Sequence, residues 1–261
     1  MINMFSVVLA THNEEKNLTK CLESIKDLAN EIIVVDGEST DQTCQIAKSL
    51  GAKVFQTTNK KNFHINKQMA MNKATGDLIL QLDADELVDE ELKVFIKKLL
   101  RSLENKEKLE AVAWWIKRKN FFCGRWLSKG GQYPDPVIRL YLKNKAHLPA
   151  KDVHEQMQVE GQTATAEGHL LHYSNPTFND YWRKFQTYTS FKAQQLFDEG
   201  LAINPLTFLD HIVIKSIKTF FLIYLRHKGF VDSWQGLVFA FFSALHHPIA
   251  YIKLLKIKYA N

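Results

Sequence analysis

Three carboxylates crowd into four residues at Asp83-Ala84-Asp85-Glu86, directly after the apolar run Leu78-Ile79-Leu80-Gln81-Leu82. That run is bounded by turn signals, with Gly76-Asp77 ahead of it, and predicts a buried strand over 78–82. Carboxylates gathered at one strand end repel each other, and a divalent cation would relieve the repulsion. Hard oxygen ligands suit Mg²⁺ or Mn²⁺, and Mg²⁺ commonly binds together with substrate phosphates. An Asp-Ala-Asp corner could equally be an acidic turn facing water. The elements around it must decide.

Those elements alternate. Phe5–Ala10 reads as a first strand, broken by Thr11-His12-Asn13-Glu14-Glu15, and Asn13 is placed to cap the helix that follows. Leu18, Cys21, Leu22 and Ile25 recur at helical spacing through Leu28. Glu31–Asp36 is a second strand ending on a carboxylate. A turn over 37–41 then leads into a helix reaching Leu50, with Ser39 or Thr40 as its cap and Gly51 as its C′ residue. Lys53–Thr57 is a third strand, Phe63–Ala74 a third helix and Leu78–Leu82 the fourth strand. Short loops in a β-α-β-α-β-α-β series imply a parallel sheet covered on both faces. Ligands of such sheets sit beyond the carboxyl ends of the strands. Thr11, Asn13, Asp36 and 83–85 all fall on that edge.

Beyond residue 86, Asp89 caps an amphipathic helix over 90–103, whose lysines form a solvated face. Ala111–Ile116, Pro136–Leu142 and Gln156–Val159 read as further strands, and Gly130-Gly131 with Pro134 marks a loop. The tail predicts helices over 208–225 and 234–245 and a third after Pro248. From Thr207 onward there are seven Lys or Arg against two Asp, which carries five of the chain's six net positive charges. Basic charge on apolar helices points to a membrane surface rather than to nucleic acid, for which no motif is present. Core packing and oligomer contact are the other readings of the same apolar faces.

The 261 residues, 46% hydrophobic and 24% charged, describe an ordinary folded chain. Cys21, Cys44 and Cys123 are widely spaced, with no CxxC pair, so a reducing compartment is expected rather than a disulfide frame or zinc site. No signal peptide is visible, and no apolar stretch is read as reaching the roughly 18 residues of a membrane span. The expectation is a cytoplasmic protein, peripheral on the inner face of a bacterial inner membrane. GxGxxG and GxxxxGK[ST] are both absent, so a nucleotide would be held by metal and side chains.

Taken together, Ser6–Glu14, Ile33–Asp41 and Ala74–Asp77 with Leu82–Glu86 resemble the inverting family 2 glycosyltransferases of the GT-A fold. Residues 120–126, Gly130-Gly131, Tyr133-Pro134-Asp135, Arg139-Leu140, Val153-His154-Glu155 and His172-Tyr173-Ser174 resemble the bacterial lipopolysaccharide-core β-1,4-glucosyltransferase subgroup, which extends the likeness over nearly the whole chain. The resemblance implies an α/β, Rossmann-like and mainly parallel sheet flanked by helices, with a C-terminal helical appendage. It divides the chain into a nucleotide-sugar-binding half (1–110), an acceptor-binding half of the same domain (111–200) and a basic apolar helical tail (201–261). Thr11, Asn13 and Glu14 would then serve donor binding, Asp36 would bond the uracil, and Lys67 would approach the phosphates. Asp83 would sit near ribose and metal, and Asp85 would ligate the metal that bridges the diphosphate.

The reaction so implied moves a hexose, with glucose first in line, from a UDP-sugar to a saccharide or glycolipid acceptor with inversion. It requires a metal for the leaving diphosphate and a carboxylate base for the acceptor hydroxyl. Candidate bases are Glu155, Asp135 and Asp152, with Glu155 preferred; His154 beside it is a candidate metal ligand or phosphate contact. Arg125, Trp126, Tyr133 and Arg139 are the acceptor-binding candidates, with Trp114 as a further stacking ring. His169, His172, His246 and His247 are read as structural. Transfer to another lipid-linked glycan or a protein, and a binding module without turnover, stay open. A nucleotidyltransferase is disfavoured, because it needs a glycine-rich loop after the first strand and Thr11–Glu15 has no glycine.

Overall fold

The computed structural model describes residues 4–60, 62–149 and 156–259. They form two compact units, Met1–Arg118 with Pro136–His172, and Lys119–Asp135 with Tyr173–Asn261. Strands from the middle of the chain complete the first unit's sheet, while the segments between and after them assemble with the tail.

In the first unit, β1 (Phe5–Thr11), α1 (Leu18–Ile25), β2 (Glu31–Gly37), α2 (Thr43–Ser49), β3 (Lys53–Thr57), α3 (Phe63–Lys73) and β4 (Leu78–Leu82) follow the expected alternation. Then come β5 (Glu86–Val88), α4 (Glu90–Glu104), β6 (Ala113–Phe122), β7 (Arg125–Leu127), β8 (Pro136–Leu142), β9 (Ala146–His147), β10 (Gln158–Val159) and β11 (Thr163–Asn175). The sheet order is β3-β2-β1-β4-β8-β6-β11-β5, with β9 and β10 pairing separately. β3, β2, β1 and β4 run parallel, while β8 joins β4, and β5 joins β11, antiparallel. The sheet is therefore mixed. β6 and β11 continue past the first unit into the second, where β7 pairs with β6.

Strand alternation explains the two layers. Phe5, Val7 and Leu9 of β1 point into a core with Leu18, Leu22 and Ile25 of α1 and Leu92 and Ile96 of α4. Val8 points the other way, with Ile33, Val35 and Ile79, onto Ala70 and Met71 of α3 and Ala74 just after it. A fully buried strand of this kind reads as an unbroken apolar run. Trp114 lies in the first of these cores with no exposed surface, so it fills volume and is not a sugar platform. Gly168, at φ +85°, lets β11 pass the start of α4, where a Cβ would collide with the Leu92 backbone nitrogen. Asn13 does not cap α1, which begins at Leu18 after Asn17.

The second unit is helical. α5 (Phe178–Asp198) was not legible as an element, although Thr177 accepts from the Asp180 amide, a capping pair three residues apart. A long helical segment follows. It runs as α6 (Pro205–Leu209), a π segment (Asp210–Ile214), α7 (Lys215–Phe221) and a second π segment (Leu222–Arg226). A 3₁₀ turn (Gly229–Asp232) then leads into α8 (Ser233–Tyr259). The helix expected over 234–245 does not end before Pro248, since α8 continues through it. Ala193 and Leu196 of α5 pack with Tyr251 and Leu254 beyond the proline, and that burial offsets the roughly 3 kcal/mol cost of a mid-helix proline. The expectation of no membrane-length apolar segment is also corrected, because Gly229–Tyr259 is long and apolar enough by length and composition.

Candidate functional site

The carboxyl ends of β1, β2 and β4 carry the predicted groups, and the strand register sets their spacing. Thr11 and Asp36 are direct partners across β1 and β2. The Thr11 hydroxyl donates to Asp36 Oδ1 at 3.0 Å, and Ser39 donates to Asp36 through its amide (2.9 Å) and its hydroxyl (2.6 Å). Burial works against ionisation of Asp36, but the Ser39 bonds lead in outweighing it, and its pKa is lowered. Asn13, at φ +56°, ties the two loops together by accepting from the Thr40 amide at 2.8 Å. Glu14 is half-buried beside them and accepts from Asn17 Nδ2 at 2.9 Å. His12 Nδ1 lies 2.6 Å from the Gly37 carbonyl, an acceptor only, so this nitrogen carries the proton.

A second cluster forms at the end of β4. Lys67, buried on α3, reaches Asp83 Oδ1 at 2.5 Å, and Arg139 reaches Asp83 Oδ2 at 2.5 Å. Arg139 also donates to Gln81 and lies 3.5 Å from Glu86. Burial opposes the Asp83 charge, but Arg139 and then Lys67 overcome it and hold the carboxyl well below the usual range. Burial likewise opposes the Arg139 charge, yet Asp83 and Glu86 leave its pKa raised. For Lys67 burial wins and the pKa is lowered. Glu86, fully buried, accepts from the Asp83 amide at 3.0 Å and fixes the turn.

Arg139, an acceptor candidate by sequence, is seated against Asp83. The antiparallel register pairs Leu80 with Leu140, which brings Arg139 opposite Gln81 at the strand end. Asp83 is thus ion-paired to two cations of the chain, and Asp85 stands two residues on at the same corner. Asp85 Oδ2 lies 3.5 Å from His172 Nε2, and both side chains are about four-fifths buried. His172, read from sequence as structural, reaches this corner because β11 pairs it with Glu86. A carboxylate beside an imidazole fits a divalent cation, and the imidazole moves the preference from Mg²⁺ toward a transition metal such as Mn²⁺.

Asp89, Glu91 and His169 bring three ligand-type atoms within 4.8 Å of one another. Asp89 is already committed there, accepting from the Leu92 amide (2.9 Å), the His169 amide (3.0 Å) and His169 Nδ1 (3.0 Å). This is a helix cap.

The other acceptor candidates lie in the second unit. Trp126 packs edge-on against Phe121 (4.8 Å) and Tyr173 (5.0 Å), and Tyr133 is more than a third exposed. Asp135, at φ +39°, accepts from Asn120 Nδ2 at 2.9 Å, and Arg125 lies 3.8 Å from Asp232. Asp152, His154 and Glu155 lie outside the described residues.

The chain belongs to glycosyl transferase family 2, whose model matches residues 6–159, more than half of its length. It is a glycosyltransferase. Over 98% of its length it is 29% identical to an uncharacterized glycosyltransferase of Rickettsia typhi, of which 89% is covered. Over 89% of its length it is 28% identical to the lipopolysaccharide core biosynthesis glycosyltransferase LpsC of Rhizobium meliloti, covering 87% of that chain. Among solved structures it is similar to S. aureus TarS 1–349 in complex with UDP, with TM-score 0.49 and 18% identity, covering 88% of this chain and 75% of that one.

Proposed function

We propose that the protein transfers a hexose, most simply glucose, from a UDP-sugar to a saccharide acceptor of the lipopolysaccharide inner core, with inversion. One observation carries the reading. In a family 2 chain, Thr11, Asp36 and Ser39, the Lys67–Asp83–Arg139 cluster and the Asp85–His172 pair line the carboxyl edge of neighbouring strands. The first group offers a uracil-facing carboxylate fixed by three donors. In the second, Lys67 and Arg139 hold Asp83 rigid while adding positive charge where a diphosphate would lie. Asp85 and His172 would hold the metal, with Asp83 beside it, and the metal supplies Lewis-acid neutralisation of the leaving group. The similarity to LpsC supports the lipopolysaccharide-core acceptor.

The tail supports work at a membrane surface. Leu209, Val213, Ile217, Phe221 and Leu225 recur at every fourth residue and are 38–53% exposed. In an α-helix of 3.6 residues per turn such a row drifts by about 40° per step. The two π segments take up the extra residues and keep the row nearly straight. Lys218, Arg226 and Lys228 are exposed around it, as anionic headgroups would require. Docking is favoured over spanning for α8, because Lys253 is bound to four oxygens of α5 at 2.7–3.0 Å.

A UDP-release assay over a panel of UDP-sugars with Mn²⁺ or Mg²⁺ tests the donor. Wild type is expected to release UDP only with metal, and Asp85→Ala to lose about a hundredfold or more. Metal-independent release, or none with any sugar, would end this reading. For the base, Glu155→Gln and Asp135→Asn should separate: the true base loses transfer and keeps UDP-sugar binding.

A further inference from the structure

In the second unit, Asp232 is 1% exposed; Arg125 lies 3.8 Å from its carboxylate, whose close hydrogen bonds all go to one loop. The Ser128 amide lies 3.0 Å from each oxygen, the Ser128 hydroxyl donates at 2.7 Å and the Lys129 amide donates at 2.7 Å. Burying a carboxylate is costly unless it is hydrogen-bonded in this way, and bonds to a charged acceptor are stronger than neutral ones. The loop so gripped continues through Gly130 and Gly131, both at positive φ, to Tyr133 and Asp135. Gly130 donates to the His227 carbonyl at 2.9 Å, so the tail holds this end twice. The other end is held by Asn120 of β6, which donates to the Gln132 carbonyl (3.0 Å) and to Asp135 (2.9 Å). A segment with two left-handed glycines has much conformational freedom to lose, and clamps at both ends restrict it.

We infer that Asp232 is a positioning residue for acceptor use: it acts through Ser128 and Lys129 to hold the 128–135 loop, with Tyr133 and Asp135, in one conformation. This rests on the reading of that loop as part of the acceptor site. It also gives the 3₁₀ turn between the tail helices a role beyond connection. No substrate contact by Asp232 is implied. In Asp232→Asn one oxygen becomes an NH₂ that faces amide donors, which frees the loop at nearly constant volume.

The test uses the full chain, UDP-glucose, Mn²⁺ and lipopolysaccharide truncated to its inner core, presented in detergent micelles. Asp232→Asn is expected to raise the acceptor KM about tenfold while leaving the UDP-glucose KM unchanged. Ser128→Ala, which removes one donor at an exposed position, should raise it about threefold. Hydrogen exchange at 128–131 should quicken in both variants. Unchanged acceptor KM in both variants, or an equal loss in acceptor and donor parameters, would overturn the inference. Failure of wild type to turn over UDP-glucose with this acceptor would instead count against the proposed function, and exchange at 128–131 would then decide the clamp by itself: no quickening overturns it.

Discussion

The two units spend their polar groups in opposite ways. In the first, charged side chains are drawn in and paired, with Asp83 held between Lys67 and Arg139, and Glu86 and Glu31 buried. In the second, charges stay outside and large apolar side chains join them, Leu209, Ile217, Phe221 and Trp234 among them. Asp232 is the exception, buried on hydrogen bonds from Ser128 and Lys129. The contrast follows from the two tasks proposed. A diphosphate and a cation need fixed charges in a dry setting, where electrostatic interactions are strongest. A helical surface that meets lipid needs apolar area flanked by cations.

The sharpest way to break the contrast is to unbalance the buried charges. Arg139→Met leaves Lys67 as the one cation ion-paired to Asp83 among the described residues, beside the Gln81 amide, and removes a partner from Glu86. It is expected to cost about 3–5 kcal/mol, read as a lower urea midpoint. A loss below 1 kcal/mol would mean that this cluster does not carry the strand edge.

Acid offers a second route. Burial raises the Glu31 pKa, but hydrogen bonds from Ser6, then Thr75 and Lys53, outweigh it and bring it from 4.5 to about 2. The folded pKa is below the unfolded one, so Glu31 contributes stability that is fully present above about pH 4.5 and is lost as pH falls toward 2. The full contribution is on the order of 3 kcal/mol. Glu31→Gln should flatten the stability profile across that window in an acid titration followed by circular dichroism, and an unchanged profile would reject the assignment.

The smallest expected effect on stability comes from the second unit. Ile217→Glu with Phe221→Glu replaces exposed side chains and should move stability by no more than about 0.5 kcal/mol each. The pair should nevertheless abolish salt-sensitive co-sedimentation with anionic vesicles and leave UDP-sugar binding unchanged. Retained vesicle binding would show that the row is not the contact, and a change of oligomeric state in the variant would identify it as a copy-to-copy surface.

Much of the first unit was legible because its signals are local. β3 and β4 fall on the expected residues, and Thr11 and Asp36 meet because each ends a strand of a parallel pair. Errors arose where a local rule met a longer-range competitor. Asn13 has the chemistry of a cap, yet its side chain is engaged by Thr40, 27 residues on. Pro248 signals a helix end, yet packing against α5 carries the helix through. β11 does alternate, with Ala166, Gly168 and Leu170 buried, but its polar half obscured the pattern.

The sequence by itself determined the alternating framework, the strand-end carboxylates and the charge imbalance of the tail, since periodicity, turn residues and charge are properties of neighbouring positions. Only the tertiary structure decided that Arg139 belongs to Asp83, His172 to Asp85 and Asp232 to the 128–135 loop. Those pairings span 56, 87 and 104 residues and depend on strand register and helix packing, which no local pattern encodes.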